Sequence, residues 1–112
     1  MVATAQFSTV LHEVHSGLQS IFGNELEQLL LYGSYARGEQ DSESDIDLLA
    51  LVNMPQEQLA GYRRAVNHLS SEIDLRHNVF LSIMLQDTET FARYSGILPF
   101  FQNVAREGIP IG

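Results

Sequence analysis

Cysteine is absent from the 112 residues, so the chain can form neither a disulfide nor a thiolate zinc site, a composition that suits a reducing cytoplasm. Basic residues are scarce: six Lys and Arg stand against 14 Asp and Glu, leaving a net charge of −8 and a pI near 4.7. A polyanion is bound by replacing its counterions with Lys and Arg, so nucleic acid is excluded as a bulk partner. No apolar run approaches the length of a membrane span, and the first residues lack the basic-then-apolar pattern of a signal peptide. The expectation is a cytoplasmic chain without membrane contact. Repeats, linkers and low-complexity tracts are missing too. The length suits one domain over 1–112 with one core, and the apolar share of 45% is ordinary for a globular protein. An acidic surface is compatible with a small nucleotide that brings its own cation, or with a basic protein partner.

What is present is concentrated in one stretch. The apolar run Leu29-Leu30-Leu31 ends in Tyr32-Gly33-Ser34-Tyr35-Ala36-Arg37-Gly38, and Ser44-Asp45-Ile46-Asp47-Leu48-Leu49 follows shortly after. Gly33 opens backbone angles closed to other residues and lets a ligand approach the main chain. Ser34 adds a hydroxyl and an N–H where a helical turn would start, a setting that suits phosphate. Arg37, one turn on, supplies a permanent charge for phosphate oxygens. Gly38 and the polar residues Glu39 to Ser44 read as a turn back toward a sheet.

In a strand, side chains alternate faces, so Asp45 and Asp47 project to one side and Ile46 and Leu48 to the other. Neighbouring carboxylates repel unless a cation lies between them. Oxygen ligands of this kind suit Mg²⁺ held together with substrate phosphates. The combination fits metal-assisted phosphoryl or nucleotidyl transfer; the bland alternative is a β-hairpin with solvated aspartates.

Taken in order, residues 4–22 read as an amphipathic helix, with Phe7, Val10, Leu11, Val14, Leu18 and Ile21 as its apolar stripe, Thr4 as its cap and Gly23 as its stop. His12 and His15 read as its solvated flank. Residues 26–32 form a first strand buried on both faces, and 45–52 a second. Pro55 opens a helix over about 55–72 whose stripe is Leu59, Tyr62, Val66, Leu69 and Ile73; Arg63 and Arg64 form its solvated edge. A third strand is expected over 78–85, a short helix over 88–94, and a last one from Pro99 to Gly108. Phe91, Tyr94, Ile97, Leu98, Phe100 and Phe101 should be mostly core, with some left for an interface. The fold class is α/β (α+β): a small mixed sheet of three or four strands flanked by helices.

Gly33-Ser34, ten intervening residues and Asp45-x-Asp47 resemble the signature of minimal nucleotidyltransferases in the polymerase-β-like superfamily. The resemblance spans nearly the whole chain and implies the nucleotidyltransferase core fold. It implies that Gly33 and Ser34 hold the triphosphate of ATP, that Asp45 and Asp47 hold Mg²⁺ as the catalytic pair, and that Arg37 supports a phosphate. Active members add a third carboxylate from the next strand. Here that strand offers Asn78 and Ser82, neither of them acidic. Asp74, at the end of the preceding helix or in the loop, is the candidate, and Asp87 follows the strand.

Small stand-alone members of this kind are antitoxins paired with a HEPN-domain toxin. The resemblance therefore implies transfer of AMP from ATP to a hydroxyl, a tyrosine of such a partner. A second reading is a weak or inactive protein of the same fold that neutralises its partner by binding. Small-molecule transfer is a third, disfavoured because no acceptor domain fits in this length. Self-association stays open.

Overall fold

The computed structural model describes residues 4–41 and 44–112. Helix α1 (Thr4–Phe22) turns its buried stripe, Val10, Leu11, Val14, Leu18 and Phe22, onto the sheet. The capping role expected of Thr4 rests on a side chain outside the described residues. A single 3-10 turn, Gly23–Glu25, leads into β1 (Leu26–Tyr32), and α2 (Ser34–Arg37) connects β1 to β2 (Ile46–Val52). The expected turn over 39–44 includes residues 42 and 43, which lie outside the described residues; on its far side Ser44 Oγ donates to Asp41 Oδ1 at 3.2 Å. Then come α3 (Gln56–Ala60), α4 (Arg63–His77), β3 (Leu81–Asp87), α5 (Thr88–Tyr94), α6 (Pro99–Glu107) and β4 (Ile109–Ile111).

The four strands form one mixed sheet in the order β3-β2-β1-β4. β1 is antiparallel to β2 and to β4, while β2 and β3 run parallel without a register break. The three consecutive leucines of β1 are all buried because both faces of the sheet are covered. Leu29 and Leu31 join Leu48, Ala50 and Val52 beneath α1 and α4. Leu30 joins Leu49, Leu51 and Val104 of α6 on the opposite face. Across the helical layer, Glu13 of α1 is hydrogen-bonded to His77 and Arg76 of α4, and Gln6 Nε2 donates to the His77 carbonyl at 2.8 Å.

Several boundaries differ from those expected. The helix expected over 55–72 is two helices, divided at Gly61 and Tyr62, and the second runs on to His77. The third strand begins at Leu81, not at 78. Asn78 ends α4 with a left-handed backbone at φ 54°, a conformation Asn tolerates and a strand does not. Asn78 is thus a helix cap, and Asp87 is the last residue of β3 rather than a residue beyond it. β4 was not foreseen; its Pro110 is tolerated because β4 is an edge strand. The aromatic-rich last quarter is more exposed than expected: Val104 is its one buried hydrophobic, and Ile97 is 66% exposed.

Candidate active site

The pairing of β1 with β2 sets Tyr32 opposite Asp47, so the chain that leaves β1 does so beside that carboxylate. Gly33 takes φ 76° and ψ −152°, a region that is essentially restricted to glycine. From there α2 turns at once, with the N–H groups of Ala36 and Arg37 donating to the Gly33 carbonyl at 3.1 and 3.2 Å. Gly38 closes the turn in the left-handed conformation. A Cβ added at Gly33 would collide with Oδ2 of Asp47. The angles require glycine here, and a Cβ would in addition have to displace the Asp47 carboxylate.

Asp45 is exposed and lies one residue before β2. Asp47 is half-buried, and burial first, the neighbouring Asp45 charge second, push its carboxyl above the ordinary carboxylate value, with Arg37 partly opposing them. Asp74 lies in the last turn of α4. Burial raises its carboxyl, the hydrogen bond from the Leu81 N–H to Oδ1 at 2.9 Å opposes that, and the Asp45 charge raises it further. Asp45 is therefore electrostatically coupled to both other aspartates. Among the described residues no three His, Cys, Asp or Glu side chains converge as a metal-holding group. The donor set fits a hard cation that takes two carboxylates and completes its shell with phosphate oxygens.

Ser34 follows Gly33 as the first residue of α2. Arg37 reaches Glu39 at 2.9 Å and Glu107 at 3.5 Å. It also borders a cleft of about 220 Å³ shared with Tyr32, Gly33, Phe100, Asn103 and Glu107. One residue of this neighbourhood was not singled out as part of the site. Tyr32, whose ring meets Phe100 edge-on at 5.5 Å, has its hydroxyl pKa raised by burial and by Asp47. Its place on the strand face of Asp47 was the available signal. Ser82 is the register partner of Asp47 on β3, so the strand position beside the aspartate pair carries a hydroxyl and no carboxylate.

Comparison with known proteins gives one consistent picture. The family model described as a nucleotidyltransferase domain matches residues 11–98. A Methanocaldococcus jannaschii protein provisionally named a protein adenylyltransferase is 31% identical over 74 residues, covering 65% of this chain and 72% of that protein. A solved structure described, also provisionally, as a minimal nucleotidyltransferase superposes with a TM-score of 0.59 at 24% identity, over 94% of this chain and 92% of the other. The crystal structure of a toxin–antitoxin with AMP-PNP gives a TM-score of 0.57 at 19% identity, over 89% of this chain and 70% of that one. These two superpositions establish the fold. No helix among the described residues is long and apolar enough to cross a membrane.

Proposed function

The chain belongs to the nucleotidyltransferase domain family, and from that premise we propose that its 112 residues act as one minimal domain that transfers AMP from ATP to a hydroxyl of a protein partner. The observation that carries this reading is the contact between Gly33 and Asp47, which brings the glycine turn and the aspartate pair to one point. Protein adenylylation is favoured by the naming of the Methanocaldococcus relative. A HEPN-type toxin as partner, with a tyrosine as acceptor, is favoured by likeness to a toxin–antitoxin structure holding AMP-PNP.

In this reading Gly33 and Ser34 hold the triphosphate against the start of α2, and Arg37 exchanges Glu39 or Glu107 for a phosphate oxygen. Asp45 and Asp47 hold Mg²⁺, which when bound offsets their mutual repulsion and the charge of the triphosphate. The acceptor oxygen attacks the α-phosphorus: a P–O bond to the acceptor forms, the bond to the bridging oxygen of the leaving group breaks, and pyrophosphate departs. The hydroxyl proton passes to Asp74, whose raised pKa suits a base and whose second oxygen is left over from the Leu81 contact.

One observation favours a different outcome. Ser82, not a carboxylate, lies beside Asp47, which would suit a protein that binds its partner and turns over slowly or not at all. Intact-mass spectrometry of the protein that copurifies with this chain separates the two. An AMP increment that disappears when Asp45 and Asp47 are both changed to Asn supports transfer. A stable complex with an unmodified partner supports binding alone.

A further inference from the structure

β3 is an outer strand of the sheet, and its free side lacks the usual guards. The N–H of Ile46 donates to the Phe80 carbonyl at 2.8 Å. The unbroken parallel register with β2 then directs the peptide groups of Ser82, Met84 and Gln86 toward β2. Those of Leu81, Ile83 and Leu85 point away from the sheet. Asp74 accepts the first outward N–H, that of Leu81. Beyond it, Ile83 and Leu85 border a groove of about 170 Å³ whose other wall is Arg63, Val66 and Asn67 of α4.

Soluble proteins ordinarily blunt such edges with proline, lysine, a bulge or short length. Over Leu81–Asp87 there is no proline and no lysine, the register has no bulge, and the one charge is at the last position. Phe80, just before the strand, is 69% exposed, and Met84 is 42% exposed. The same edge begins beside the aspartates: Ser82 is the register partner of Asp47.

We infer that the β3 edge is the dock for the acceptor: an extended, basic polypeptide segment adds alongside β3 through the main chain of Ile83 and Leu85. It presents a hydroxyl side chain across Ser82 toward Asp47. The inference rests on the adenylyl-transfer reading and names the form its protein substrate takes. An added strand would lie about two strand spacings from β2, roughly 10 Å. A long hydroxyl-bearing side chain and a bound triphosphate can meet across that gap because the Ser82 side chain between them is short. The basic character follows from charge, since the chain carries −8. A second copy would bring the same excess of negative charge to the edge, whereas a basic segment is drawn to it. Arg63, which makes no ion pair among the described residues, is free to bond carbonyl oxygens of the incoming segment.

The test uses the full chain, labelled with ¹⁵N, and the synthetic peptide acetyl-Arg-Val-Thr-Tyr-Thr-Val-Arg-amide at millimolar concentration. Amide exchange at Ile83 and Leu85 should slow about tenfold on peptide addition, while the β2 amides stay as they were. Leu85→Pro removes one outward N–H without touching the β2 ladder; Arg63→Ala removes the donor to the segment's carbonyl oxygens, leaves the backbone alone and adds no charge that would itself attract a basic peptide. Each should weaken peptide binding at least tenfold with ATP binding unchanged. Absence of protection at these two amides, or wild-type peptide affinity retained in both variants, overturns the edge. So does a dimer that already protects them in the chain alone, which would identify a second copy as the occupant. Edge binding that survives Asp45→Asn with Asp47→Asn, without AMP reaching the peptide tyrosine from ATP in the wild type, keeps the dock and rejects the transfer chemistry.

Discussion

The carboxylate of Asp47 closes over the Cα of Gly33, so that the glycine turn and the aspartate strand occupy a single contact. Two separate constraints meet at Gly33, a positive φ of 76° and an Asp47 carboxylate that a Cβ would have to displace. Gly33→Ala should therefore lower stability by about 3 kcal/mol, most of it backbone strain, and abolish ATP binding. Adding Asp47→Ala to Gly33→Ala should return only part of that loss, because removing the carboxylate relieves the collision and leaves the φ as it was. Urea unfolding of the two single variants and the double variant measures both parts. Full recovery in the double variant would reject the backbone contribution.

The same carboxylate costs the ligand-free protein stability. Asp47 holds its proton to a higher pH in the folded chain than the ordinary 3.8, through burial first and Asp45 second. Between those two values the folded state carries more protons than the unfolded one, so this residue's contribution is most favourable at low pH and falls as pH rises. Asp47→Asn should consequently be more stable than the wild type at pH 7 without metal, and the advantage should fade as pH falls toward 4. Added Mg²⁺ should raise the Tm of the wild type alone and narrow the gap. Thermal unfolding across pH, with and without the metal, checks all three; an Asn variant less stable than the wild type at pH 7 would reject the argument.

Most of the site could be read from the sequence because it is local. Gly33 directly follows β1 and Asp47 lies on β2, its antiparallel neighbour, and apolar runs mark out both strands. The three leucines of β1 could be read as buried on both faces because alternation of side chains demands two covered faces. What escaped depends on backbone choices that residue types do not announce. α4 runs past residue 72 to His77, where the left-handed conformation of Asn78 stops it, and β3 starts only at Leu81. That shift moves Ser82, not Asn78, next to Asp47. Gly61 and Tyr62 divide a stripe whose three- and four-residue steps look continuous. β4 is three residues long and contains a proline, too short and too poor in strand formers to be seen.

Asp74 carries two roles that one pair of variants separates. Its Oδ1 accepts the Leu81 N–H at the start of β3, and its charge is available to the acceptor. Asp74→Asn keeps an acceptor oxygen and removes the base; stability should change by less than about 1 kcal/mol while AMP transfer falls on the order of a hundredfold. Asp74→Ala leaves the Leu81 N–H without its partner and should cost about 1–2 kcal/mol as well. Unfolding free energies beside single-turnover transfer rates decide it. Equal stability losses in both variants with unchanged transfer in Asn would leave Asp74 a structural residue only.

Ser82 is the position where the two functional readings divide most sharply. It is exposed on β3 and pairs in register with Asp47, so a carboxylate placed there would join the aspartate pair without entering the core. Ser82→Asp should cost the fold less than about 1 kcal/mol, a penalty that grows with pH because like charges then face each other. If the chain is a transferase limited by its missing strand carboxylate, the variant should bind Mg²⁺ more tightly. Its AMP transfer should rise at least about tenfold, measured by mass increments on the partner. If the chain acts by binding alone, tighter metal binding will come without any AMP on the partner. That outcome would place the limit outside the carboxylate set and reject the transferase reading together with the role given to Asp74.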